Sequence, residues 1–254
     1  EKPSTRTRVS FEVGMLQLGG NVVILNDKET QLSRGETVAD TSRLLSRYAD
    51  LIMLRTDKHK RLNELAANAS VPVINGLTDN THPCQIMADI LTFQEHRGNI
   101  ENKTIAWVGD GNNVATSWLH ASTKFGFKLR IATPKSLEIE EGIILEAKDN
   151  GGQIDVSNDP FAAVADADCV LTDTWLSMGA KKNNSQIEDL LKPFQVNSKL
   201  METAKANAVF MHCLPAHRGE EVTAEIIDGP QSLVWDEAEN RLHVQKAIIL
   251  WCLG

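Results

Sequence analysis

A repeated alternation constrains the fold of this chain more than any other feature. Short runs rich in Val, Ile and Leu recur, and each is followed by a stretch with helical apolar spacing. Strands are expected at 22–25, 51–54, 71–75, 104–108, 129–132, 170–172, 209–211 and 233–235. Helices are expected over 9–18, 38–48, 62–69, 83–96, 114–125, 137–148, 187–191, 199–206 and 241–253. Such alternation means α/β architecture, with parallel sheets flanked by helices. The polar stretch Gly98-Asn99-Ile100-Glu101-Asn102-Lys103 interrupts the pattern and marks a candidate boundary between two domains.

In open parallel sheets, ligands sit beyond the carboxyl ends of the strands. The unusual polar clusters fall at that place: Arg55 ends one run, and residues 75–85, 110–113, 173–178, 212–215 and 236–241 each follow one. The densest cluster stands elsewhere. Ser4-Thr5-Arg6-Thr7-Arg8 precedes the helical stretch 9–18. Free backbone N–H groups and the positive dipole end make a helix start an anion site. Arginine forks and hydroxyl donors point to phosphate more than to a lone carboxylate. Any single Ser-x-Arg reads as a helix cap followed by a solvated arginine. Three hydroxyls and two arginines in five residues reverse that preference.

The chain has 254 residues, 42% hydrophobic and 24% charged, which suits a soluble globular protein with a sizeable core. Its net charge of −8 disfavours non-specific nucleic-acid binding, whereas a local basic pocket suits a small anion. Cys84, Cys169, Cys213 and Cys252 are far apart and form no C-x-x-C, so they read as reduced thiols. No apolar run is long enough to span a membrane, and no signal peptide is seen at the start.

Further motifs carry chemistry. Val108-Gly109-Asp110-Gly111-Asn112-Asn113-Val114 contains G-x-G, but Val114 stands where a dinucleotide fingerprint has its third glycine. The next strand ends in Thr133-Pro134, with no acid for a ribose hydroxyl. Asn112 and Asn113 read as helix caps or as amides for a substrate carboxylate. His82-Pro83-Cys84-Gln85 sets an imidazole beside a helix start, where the dipole favours a neutral N–H donor. His212-Cys213-Leu214-Pro215 places a thiol at a strand end; with His217 it makes no convincing zinc pattern. Asp173-Thr174-Trp175-Leu176-Ser177-Met178-Gly179 joins a carboxylate, suited to a substrate ammonium, to a small turn. Asp236-Glu237-Ala238-Glu239-Asn240-Arg241 reads as a solvated acidic helix start apart from Arg241.

Taken in order, Ser4-Thr5-Arg6-Thr7-Arg8, Arg55, His82-Pro83-Cys84-Gln85, 173–179, His212-Cys213-Leu214-Pro215 and 236–241 resemble the motifs of the aspartate/ornithine transcarbamylase family, over essentially the whole chain. Within it, the chain is most similar to the ornithine branch. The aspartate enzymes have Pro at the position of Cys213 and lack Ser177-Met178-Gly179. Putrescine enzymes lack that loop too, and N-acetylornithine enzymes differ around 109–113 and 173–179. The resemblance implies two domains, 1–98 for carbamoyl phosphate and 99–240 for ornithine, with helix 241–254 packing back on the first and the active site in the cleft between them. The family carries a further segment before Ser4-Thr5-Arg6-Thr7, so the first domain is expected to be shortened here.

The resemblance also implies the residue roles. Ser4, Thr5, Arg6, Thr7, Gln31 and Arg55 would hold phosphate, with Arg241 completing the clamp. His82, Arg55 and Thr7 would polarise the carbamoyl oxygen. Gln85 and the carbonyls of Cys213 and Leu214 would take the carbamoyl N–H groups. Asn113, Asp173, Ser177 and Met178 would read the α-amino acid end of ornithine, and Asp173 and Cys213 would handle the proton of the amine. No metal or organic cofactor is implied, since carbamoyl phosphate is already activated. The family further implies a homotrimer or a multiple of one, in the cytoplasm or, in a eukaryote, the mitochondrial matrix. A carbamoyltransferase for putrescine or N-acetylornithine, and a non-catalytic phosphate-ligand-binding homologue, are the alternatives.

Overall fold

Ser4, in an extended conformation, accepts the Thr7 N–H at 3.1 Å and starts the first helix. The computed structural model describes residues 2–26, 35–175 and 185–254. The chain divides into two compact units, one formed by Glu1–Ala88 with Glu239–Gly254, the other by Asp89–Ala238.

The first unit is built from α1 (Thr5–Gln17), α2 (Val38–Leu45), β1 (Ile52–Arg55), α3 (His59–Asn68), β2 (Val73–Leu77) and the start of α4 (Pro83–Arg97). Among the described residues β1 and β2 make a two-stranded parallel sheet, with Ile52 opposite Val73. The register slips between Leu54 and Arg55, so Arg55 pairs with Leu77 and passes Gly76. A side chain at Gly76 would meet the Met53 sulfur and the Leu54 carbonyl, so glycine permits this irregularity. Phe11, Ile74, Cys84 and Ile249 share an apolar cluster with Met15, Met53 and Ile248, which ties α1, the sheet, α4 and residues 248–249 together.

The second unit contains β3 (Thr104–Val108), α5 (Asn113–Phe125), β4 (Lys128–Ala132), α6 (Glu141–Asp149), β5 (Gln153–Ser157), α7 (Pro160–Val164), β6 (Cys169–Thr172), α8 (Ser185–Leu191), α9 (Ser198–Met201), β7 (Val209–His212), α10 (Ala224–Ile227) and the first residues of α11 (Val234–Leu253). Its sheet is five-stranded and parallel, in the order β5-β4-β3-β6-β7. β6 and β7 are buried along their whole length, which is why they read as unbroken apolar runs. The chain winds outward from β3 to β5, then returns to β6 on the other side of β3. The order therefore reverses between β3 and β6, the place where open parallel sheets commonly bind ligands beyond the strand ends.

Several expectations are corrected. Residues 22–25 form no strand; Val23 is 84% exposed, so the run has no sheet face to bury. The expected strand 233–235 is the start of α11. Only a single bridge, Phe210 to Ser232, remains there, and the Glu237 N–H closes on Leu233 O at 2.9 Å to begin the helix. The helix expected over 137–148 begins at Glu141, after a 3₁₀ turn at Lys135–Leu137. That over 199–206 ends at Met201, and that over 38–48 at Leu45. β5, α7 and α10 were not foreseen. β5 is an edge strand with exposed Gln153 and Asp155, and α7 is a five-residue turn capped by Asp159.

Gly111 lies where the loop after β3 passes the backbone of Leu137, Glu138 and Ile139; an added Cβ would run into all three. Gly111→Ala is therefore expected to cost ~1–3 kcal/mol through overpacking against main chain that cannot step aside. Urea unfolding of the variant against the wild-type chain measures this.

Candidate active site

In the first unit, two guanidinium groups converge on one hydroxyl. Arg55 Nη1 lies 3.3 Å and Arg241 Nη2 lies 3.1 Å from Thr7 Oγ1, and Arg241 Nη1 also donates to Gln85 Oε1. Thr7, Gln85 and Arg241 are all buried. A threonine hydroxyl has two lone pairs and one proton, so accepting both guanidinia leaves Thr7 as a donor in any further contact. Arg6 is half-buried in the first turn of α1, Ser4 caps the helix, and Thr5 and Arg8 are exposed.

His82 directly precedes α4, whose first turn closes on its carbonyl from Gln85 N at 3.1 Å. Burial pushes this imidazole well below its ordinary range, and the charges of Arg241, Arg55, Arg6 and Lys2 push it further. His82 is thus neutral, an N–H donor among cations. This cluster can hold an anion and polarise a carbonyl oxygen beside it.

In the second unit the site is acidic. Asp173, just past β6, accepts Asn112 Nδ2 on Oδ2 at 2.8 Å. Its Oδ1 accepts the Thr174 N–H at 2.7 Å and the Cys213 thiol at 3.1 Å. Asn112 caps α5 with its Oδ1, taking the Val114 and Ala115 N–H groups at 2.9 and 3.2 Å. Residues beyond β3, β6 and β7 are thereby linked through one carboxylate. Burial, then the Asp173 charge, pushes the Cys213 thiol well above its usual range, so it stays protonated and donates. Asp110 is pushed up to about 6, first by burial and next by Asp173. Asn113 is the first residue of α5 and half-buried; it is the Asn112 amide that touches Asp173. Leu214 has φ +55, and its N–H donates to His212 Nδ1 at 2.9 Å.

Asp173, His212 and Cys213 bring metal-ligand atoms within 4.8 Å of one another, as do His217, Glu220 and Glu221. In the first set the thiol is engaged by Asp173 and the His212 Nδ1 by Leu214, so ligation would have to break both bonds. His217 lies with the two glutamates rather than with Cys213.

The stretch 236–241 departs from a solvated helix start. Glu237 is 1% exposed and accepts the His212 N–H at 2.9 Å, and Asn240 and Arg241 are buried too. The signal was in the spacing. Glu237, Asn240, Arg241, Val244 and Gln245 lie on one helical stripe, which carries polar residues inward with the apolar one. Sequence reasoning also passed over Glu221, fully buried beside His212. Gln31, Ser177 and Met178 lie outside the described residues.

Comparison with known proteins follows the same division. Residues 1–95 match the carbamoyl-P binding domain of aspartate/ornithine carbamoyltransferase, and residues 101–252 match its Asp/Orn binding domain. The chain belongs to the aspartate/ornithine carbamoyltransferase family. Ornithine carbamoyltransferases of Nitrobacter winogradskyi and Rhodopseudomonas palustris are 59% and 61% identical over all 254 residues, which cover 82% of each relative. Among solved structures, ornithine carbamoyltransferase from Pyrococcus furiosus is similar with a TM-score of 0.95 and 52% identity, over 100% of this chain and 82% of that one. The anabolic ornithine carbamoyltransferase of Campylobacter jejuni gives 0.93 and 38%, over 99% and 84%.

Asp110 gives this family member a pH-dependent cost. A carboxyl raised on folding keeps a proton that the unfolded chain loses, so it opposes folding above its unfolded value. For Asp110 that cost is absent below 3.8, grows as pH rises and is complete above about 6. Asp110→Asn is expected to raise stability at neutral pH by roughly 1–3 kcal/mol, and the gain should vanish in acid below the unfolded carboxyl range. Urea unfolding at the two pH values decides; no gain at neutral pH contradicts the assignment.

Proposed function

We propose that this chain transfers the carbamoyl group of carbamoyl phosphate to the side-chain amine of L-ornithine, giving L-citrulline and phosphate. One observation carries the chemistry: Arg55 and Arg241 converge on Thr7 at a helix start beside a neutral His82. Identity of about 60% along the full chain to ornithine carbamoyltransferases supports the substrate pair.

Phosphate sits on the N–H groups and side chains of Ser4, Thr5, Arg6 and Thr7, with Gln31, Arg55 and Arg241. His82, Arg55 and Thr7 donate to the carbamoyl oxygen as it gains negative charge. Gln85 Oε1, with the carbonyls of Cys213 and Leu214, takes the carbamoyl N–H groups. Asn113, Asp173, Ser177 and Met178 bind the α-amino and carboxylate groups of ornithine.

An alkylammonium has a pKa near ~10.4 and must lose a proton before it attacks. Asp173 and Cys213 share one proton over 3.1 Å and can accept a second. The amine nitrogen then bonds to the carbamoyl carbon, the carbon–oxygen bond to phosphate breaks, and phosphate leaves with that electron pair. We take residues 1–98 with helix 241–254 as the carbamoyl-phosphate domain and 99–240 as the ornithine domain.

The same reading puts the enzyme in arginine metabolism, in the cytoplasm, or in the mitochondrial matrix if the source is eukaryotic. The four free thiols fit a reducing compartment. Val9, Val13 and Leu16, exposed along α1, fit association of copies into a trimer or a multiple of one.

Citrulline formation from the two substrates is the direct test. Arg55→Ala is expected to lower kcat ~10²–10³-fold while leaving the unfolding midpoint nearly in place, as for loss of one oxyanion donor. Unchanged kinetics in the folded variant would remove Arg55 from the site. Specificity is expected to follow the α-amino acid end. Putrescine has the same reactive amine without the carboxylate, and a polar site left unsatisfied discriminates by ~10⁴ or more in kcat/KM. Putrescine equal to ornithine would overturn the substrate assignment and leave carbamoyl transfer standing.

A further inference from the structure

Behind Cys213 and Leu214 lies a buried polar chain that the reaction above does not use. His212 closes β7 and is 1% exposed. Its backbone N–H donates to Glu237 Oε2 at 2.9 Å, and its ring Nδ1 accepts the Leu214 N–H at 2.9 Å. On the far side of the ring, Nε2 lies 3.3 Å from Glu221 Oε1, close enough for charge attraction but not aligned as a hydrogen bond. The Glu221 side chain is fully buried, and the same oxygen accepts the His217 N–H at 2.5 Å.

The ring chemistry admits one arrangement. A neutral imidazole has one donor nitrogen and one acceptor. The Leu214 bond needs Nδ1 bare, so the proton resides on Nε2, facing the Glu221 carboxylate. A proton on Nδ1 would set two N–H groups against each other. Leu214 also holds a left-handed conformation, φ +55, which a leucine adopts only when its surroundings impose it. The His212 bond is such an imposition. The thiol of Cys213 is fixed separately, by Asp173 at 3.1 Å.

We infer that His212 and Glu221 are positioning residues that fix the Cys213–Leu214 backbone and so aim the two carbonyls that receive the carbamoyl N–H groups. The Glu221 carboxylate stands beside the protonated Nε2, the bare Nδ1 holds the Leu214 N–H, and the peptide planes on either side of Leu214 follow. This rests on the role given above to those carbonyls. Burying a carboxylate and an imidazole costs more than filling the space with apolar groups, and orientation is what the polar pair adds.

Two substitutions separate orientation from packing. In His212→Asn the amide oxygen stands two bonds from Cβ, where Nδ1 stood, and accepts the Leu214 N–H. His212→Gln reaches only the position of Nε2. His212→Asn is expected to keep kcat/KM for carbamoyl phosphate within ~10-fold of wild type, and His212→Gln to lose ~10²-fold, the upper end for groups that orient a ligand-binding atom. KM for ornithine should change less in both. Equal losses in two folded variants, with wild-type turnover intact, overturn the inference alone. Absence of citrulline formation by the wild-type protein overturns the carbamoyl-transfer reading, and the inference with it. Should neither variant fold, the ¹⁵N shifts of the His212 ring in the wild-type protein decide. Nδ1 bare and Nε2 protonated at neutral pH supports the assignment, and a proton on Nδ1 overturns it.

Discussion

The reversal of strand order between β3 and β6 is the constraint on which the second unit depends. Neighbouring strands that continue in opposite directions leave a gap beyond their carboxyl ends, because no connection crosses it. Whatever fills that gap must satisfy the start of α5 and the loops after β6 and β7 at once. Asp173 does so, accepting from the Asn112 amide, the Thr174 N–H and the Cys213 thiol. Asn112 in turn spends its oxygen on two N–H groups of α5. One carboxylate is thus fixed by three donors before any ligand arrives, which is the pre-organisation that charge recognition needs.

The two units carry opposite local electrostatics by similar means. Around Thr7 the fixed charges are cationic, and burial keeps His82 uncharged among them. Around Asp173 the fixed charge is anionic, and burial keeps Cys213 protonated and moves Asp110 up to about 6. In each case the group that would add a second like charge is the one held neutral. The neutral thiol donates to Asp173, and the neutral imidazole keeps an N–H without adding a charge to the cations around it. Such a division suits one substrate that is an anion and another that brings an ammonium.

Much of this was legible in the residues. The parallel α/β class followed from alternation, because strands buried on both faces cannot hide their apolar runs. The start of α1 followed from a hydroxyl ahead of an apolar-periodic stretch, where local chemistry and local structure coincide. What escaped was everything that depends on partners distant in sequence. The run 22–25 has strand composition, but composition cannot supply a neighbouring strand. Leu233-Val234-Trp235 also has strand composition, yet the acids that follow suit a helix start and the helix prevailed. Asn112 reaches Asp173, a contact across 61 residues that a helix-cap position alone does not announce. Glu221 and Glu237 are ordinary surface residues in isolation. Burial against His212 gives them their meaning, and burial is a property of the assembled sheet.

The protonated state of Cys213 bears on how the amine would be activated in the proposed reaction. A thiolate acting alone would be a strong base, but it would sit beside the Asp173 carboxylate, and two adjacent anions repel. The thiol instead donates to Asp173, and one proton serves both groups. In the proposed reaction an incoming ammonium would give its proton to the pair rather than to either member, which would then hold two protons in place of one. Asp110 adds a further negative charge beside Asp173 as it ionises near pH 6.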